Sequence, residues 1–230
     1  MNVARRTLLK GAAVSGLSVA ALSASGLSVA SSMTASQRPA VALVSGHAAE
    51  AAFVLGARAS QAQISVKRTD LSADYMQHLA AEFAKPTPQR IIGLVDDASA
   101  TVILDMARAA GARIEWVGQH AADAKGSRHA LVSAAATEGC AAKFGHQLSN
   151  CGAGFALREQ RFGQDRLNLD VAVNAKRQDA ADQWATTLGH VLATGATGNA
   201  STAPRISNQH LPLRGHFVSF SIETGRSQNA

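Results

Sequence analysis

Ser45 and His47, Asp96 and Asp97, and Gln119 and His120 form three polar pairs, each placed just after a short apolar run, at 40–44, 90–95 and 113–117. Two imidazoles and two carboxylates gathered at one place have two chemical uses. As a His/Asp pair they transfer protons, and as the set His47, Asp96 and His120 they offer nitrogen and oxygen ligands to zinc or another divalent metal. A metal held there would activate water for hydrolysis. Without catalysis, the same six residues make a polar rim able to hold a small ligand. Asp and Ser after a strand also serve as ordinary helix caps.

Local motifs add little. There is no His-x-x-His or His-Glu-x-x-His spacing, no Walker sequence and no Gly-x-Ser-x-Gly elbow. Gly152-Ala153-Gly154 follows a helical pattern and leads into a strand, the reverse of a dinucleotide fingerprint, and reads as a turn. Trp116, Trp184 and Tyr75 lie on apolar faces and read as core or rim.

Bringing the three pairs together requires their strands to lie side by side. Segment 39–120 alternates apolar runs at 40–44, 64–66, 90–95 and 113–117 with helical patterns. Those patterns are Ala52, Leu55 and Ala59, then Leu71, Tyr75, Leu79 and Phe83, then Ile103, Met106 and Ala110. This β-α-β-α-β-α-β series predicts a parallel sheet with right-handed crossovers and helices on both faces. Ligands in such sheets bind beyond the carboxyl ends of the strands, where all three pairs fall.

Segment 121–230 is mixed. It holds a strand near 130–134, a helix at 138–149, two strands at 155–162 and 167–173 and a helix over 181–192. A Gly/Ser/Thr/Asn/Pro-rich stretch at 195–212 reads as a mobile loop, and 217–222 alternates as a last strand. The expectation is one three-layer α/β domain over 33–230, parallel at first and mixed later. Phe53 to Arg58 on the first helix, Ile91-Ile92-Gly93 on the third strand and Ala109-Ala110-Gly111 before the fourth resemble the first lobe of type I periplasmic binding proteins. That resemblance implies a flavodoxin-like fold and a small-molecule ligand.

The first 32 residues read as an address. Ala4-Arg5-Arg6-Thr7-Leu8-Leu9-Lys10, followed by an uncharged Gly/Ala/Ser stretch, resembles a bacterial twin-arginine export signal, with small residues at Ser28-Val29-Ala30 for cleavage. The resemblance implies recognition of Arg5 and Arg6 by the twin-arginine machinery and a periplasmic or secreted mature protein. Such cargo is exported folded, often already joined to a cofactor or a redox-enzyme partner. Serine and glycine dilute 11–30 too far for a membrane span.

Losing 1–32 removes three of the 22 Lys and Arg and none of the 16 Asp and Glu, so the net charge falls from +6 to +3. Single scattered bases and few aromatics argue against nucleic acid. Cys140 and Cys151 are the only cysteines. In an oxidising compartment they are expected as a disulfide, provided the helix ends early and Asn150-Cys151-Gly152 folds back. Unbroken helix would hold them about 16 Å apart, beyond the roughly 7 Å limit for bonding. Two readings follow: an exported module binding a small ligand or a partner such as a redox enzyme, to which it would be accessory, or a small metal-assisted hydrolase built on His47, Asp96, Asp97 and His120.

Overall fold

The computed structural model describes residues 40–46, 48–60, 63–123, 125–195, 202–205 and 214–225. His47, residues 1–32, expected as an export signal, and most of 195–212, expected as a mobile loop, lie outside the described residues.

The first four strands follow the apolar runs: β1 (Ala40–Val44), β2 (Ile64–Arg68), β3 (Arg90–Val95) and β4 (Arg113–Ala122). β1 and β3 are buried along their whole length, as parallel strands covered on both faces must be. Between them run α1 (Ala48–Arg58), α2 (Ala73–Phe83) and α3 (Asp97–Ala109). One expectation shifts: Leu71 does not join the α2 face. Asp70 accepts the Ser72 N–H at 2.9 Å and Ser72 Oγ accepts the Tyr75 N–H at 3.2 Å. Capped at Ser72, the helix begins after Leu71, which is left exposed with φ of 53°.

The second half supplies β5 (Ser127–Ser133), α4 (Cys140–Cys151), β6 (Phe155–Arg161), β7 (Leu167–Val173), α5 (Gln183–Thr194) and β8 (Gly215–Glu223). All eight strands form one mixed sheet in the order β2-β1-β3-β8-β4-β5-β6-β7. β1 pairs in parallel with β2 and β3, and β8 lies antiparallel between β3 and β4. β5 is antiparallel to β4 and parallel to β6, and β7 closes the far edge against β6.

Two cores result. α1, α4 and α5 bury Phe53, Phe144, Trp184 and Leu188 against Trp116, Leu131, Leu157 and Phe217 on one face. On the other face α2 and α3 set Leu79, Phe83 and Ile103 against Val41, Ile91, Phe220 and Ile222. α5 is buried all round because α1 and α4 flank it. Its contact with α1 depends on two glycines. A Cβ at Gly56 would lie 1.8 Å from the Thr186 carbonyl oxygen, and one at Gly189 would lie 2.0 Å from that of Phe53. No helix among the described residues is long and apolar enough to cross a membrane.

The disulfide expectation is corrected by α4. Cys140 and Cys151 are its first and last residues, so eleven helical steps separate them by about 16 Å. Both thiols are free. The helix does not end early because Gly152, with φ of 84°, supplies the left-handed stop only after Cys151.

Candidate functional site

Ser45 and Asp96 meet where β1 and β3 end. Ser45 Oγ donates to Asp96 Oδ2 at 2.9 Å, while the Ser99 N–H and hydroxyl donate to the two carboxylate oxygens, each at 2.9 Å. Burial pulls the Asp96 carboxyl upward. The hydrogen bonds from Ser99 and Ser45 outweigh it, leaving the group below the usual carboxylate range. Asp96 therefore serves as the α3 cap. Asp97, the next residue, is exposed on the first turn.

His120 belongs to a different environment. Strand alternation turns Trp116, Gly118 and His120 toward α4 and α5, and Val117, Gln119 and Ala121 the other way. His120 is buried, with its ring stacked on Trp184 at 5.4 Å between centroids. Its Nδ1 lies 2.8 Å from His129 Nδ1, and its Nε2 lies 2.7 Å from Ser219 Oγ. Trp116 Nε1 donates to the same Ser219 Oγ at 2.9 Å, and His129 Nε2 lies 2.8 Å from Ser127 Oγ.

One assignment of protons satisfies this chain from its indole end. Trp116 gives to Ser219, Ser219 to His120 Nε2, His120 Nδ1–H to His129 Nδ1, and His129 Nε2–H to Ser127. Burial pushes His120 down to about 3, and burial followed by the neighbouring His120 pushes His129 well below its ordinary value. Gly118 makes the room. A Cβ there would sit 2.7 Å from both His120 Nε2 and Ser219 Oγ.

This placement separates the residues expected to share chemistry. β8 stands between β3, which Asp96 follows, and β4, which carries His120, and both His120 nitrogens are engaged. Among the described residues no group of three His, Cys, Asp or Glu side chains converges on a metal position. His47 lies outside the described residues.

Asp97, Gln119 and His120 do border one cleft, of about 580 Å³. It lies over the half of the sheet that α2 and α3 leave open. Strand register sets its floor in rows: Ala121, Arg128, Ala156 and Ala172 in one, and Gln119, Ala130, Arg158 and Asp170 in the next. Arg158 Nε donates to Asp170 Oδ1 at 3.3 Å across β6 and β7. The two arginines are exposed above a floor of alanines. Neither was identified from the sequence, although alternation in 127–133 and 155–161 places both on the face opposite Leu131 and Leu157.

Pre-formed concavity, small apolar floor groups and a few convergent polar side chains are the features of a small-molecule site. No family model, curated protein or solved structure matches this chain.

Proposed function

We propose that the chain is an exported binding module that takes a small carboxylate-bearing molecule in the cleft over β4–β7. One observation carries the reading. Arg128 and Arg158 stand beside Ala130, Ala156 and Ala172 on a sheet face open to solvent. Planar guanidinium groups match carboxylates in a bidentate geometry, and alanines leave room for the ligand's body. Asp170 steadies Arg158 from the side. Gln119 adds an amide able to donate and accept.

A panel of acetate, succinate and citrate, set against uncharged sugars, tests the site by NMR. The carboxylates shift the methyl signals of Ala130, Ala156 and Ala172, and the double variant Arg128→Ala/Arg158→Ala loses those shifts. A panel that moves none of these methyls, or moves them equally in the variant, overturns the reading.

Export rests on Arg5 and Arg6. The twin-arginine route reads the two guanidinium groups as a pair, and an accessory role beside an exported redox enzyme fits that route. Replacing both by Lys keeps the charge and leaves precursor in the cytoplasm. Full export of the double-Lys precursor overturns this half of the reading.

A further inference from the structure

The carboxylate cleft does not end at Arg158. A second cavity, of about 280 Å³, continues it along the open face of the sheet and shares Gln119, Ala130 and Arg158 with it. Register sets the floor of this groove as a third row, Val117, Val132, Gln160 and Leu167, side by side across β4 to β7. The row lies two residues along β4, β5 and β6 from Gln119, Ala130 and Arg158, about 7 Å away. Polar and charged side chains give way there to apolar ones. The exception is Gln160, whose side-chain amide donates to the Gln164 carbonyl in the β6–β7 turn.

A bulge puts the last apolar group in place. In β7, Asp170 and Ala172 face the open side, while Leu169, Val171 and Val173 pack against the core. Strict alternation would bring Asn168 beside Gln160. The register instead shifts between Glu159 and Gln160, so Leu167 pairs with Gln160 and lines the groove, exposed. Burial in the fold does not account for this leucine. An apolar cavity of about 150 Å³ holds benzene, so the groove has room for several methylene groups that acetate or succinate would leave unfilled. Arg158 stands where the charged rows meet the apolar one and borders both cavities.

Resting on the carboxylate reading of the cleft, we propose that its ligand is an amphipathic monocarboxylate, with its head on Arg128 and Arg158 and an alkyl tail laid over Val132 and Leu167. The guanidinium groups select the anionic head. The third row selects for chain length, since only a tail that passes Arg158 leaves water by reaching it.

Butanoate, octanoate and 1-octanol are the probes, titrated into the full chain and followed by NMR at the Ala130, Val132 and Leu167 methyls. Both acids shift Ala130, and octanoate alone shifts Val132 and Leu167. Each methylene laid half out of water on an open groove adds about a twofold gain, so octanoate binds about sixteenfold more tightly than butanoate. Arg128→Ala/Arg158→Ala removes the octanoate shifts at Val132 and Leu167. Leu167→Gln, at an exposed position, weakens octanoate about fourfold and leaves butanoate as it was. Equal affinity for the two acids at Ala130 overturns this inference alone, whereas silence of Ala130 toward both overturns the carboxylate reading with it. Octanol shifting Val132 and Leu167 as strongly as octanoate, or a Leu167→Gln protein that keeps the full gain with chain length, also overturns the inference.

Discussion

His120 Nδ1 and His129 Nδ1 lie 2.8 Å apart, so one ring must give the proton that the other lacks. Two such rings cannot both carry charge inside a core formed by Trp184, Phe144 and Phe217. They are a structural pair that fastens β4 to β5, and their chemistry becomes visible in the stability of the fold.

Acid weakens that fastening. In the unfolded chain these rings bind protons near the ordinary histidine value of 6.5, whereas folded His120 resists until about 3. The unfolded state therefore holds more protons throughout that window, and stability falls as pH falls through it. Between pH 7 and pH 5 His120 alone accounts for a loss of about 2 kcal/mol, and His129 adds to it in the same direction. Urea unfolding at the two pH values checks this. Equal midpoints at both would refute it.

Ser219→Ala removes the shared partner of Trp116 Nε1 and His120 Nε2. Two buried polar groups are left unmet, at about 1–3 kcal/mol each. The expected outcome is a fall of about 2–6 kcal/mol in unfolding free energy, measured by denaturant titration. A loss below half a kcal/mol would mean that the network reorganises around the gap.

Free thiols at the two ends of α4 differ in reach. Cys140 is buried, and burial pushes its thiol up to about 11; burial also raises half-exposed Cys151, less strongly. A maleimide reagent modifies Cys151 in the native protein and Cys140 only after unfolding, and reductant leaves the melting temperature unchanged. Finding no thiols in denatured protein would contradict the α4 geometry.

Ala130→Trp places an indole on the open floor of the cleft between Gln119 and Arg158. Carboxylate binding is lost while stability changes by less than about 0.5 kcal/mol, as at other exposed positions. Isothermal titration and melting together separate the two effects. Undiminished binding would move the ligand away from this floor.

The β-α-β-α-β-α-β series was legible because β1 and β3 are apolar on both faces and each helix carries its own period. Strand order was not, since no local pattern says that 215–223 inserts between β3 and β4. His120 read as a loop-end residue because β4 was expected to stop near Val117. The strand runs to Ala122, and its alternation carries His120 inward and Gln119 outward. The cleft depends on cross-strand neighbours such as Ala130 and Arg158, which sit far apart in the chain and become neighbours only through register. The cysteine pair was misread because compartment was weighed above helix length.

The placement of β8 also sets an order of events. A segment made after the other seven strands occupies the middle of the sheet, joined to β3 by pairs such as Arg90 with Glu223, 133 positions apart, at 2.8 Å. Until that segment leaves the ribosome, β1–β3 and β4–β7 are two half-sheets, each with a raw edge exposed to other chains. Removing 215–223 would divide the sheet down its centre, and closure of the sheet must wait until that segment is made.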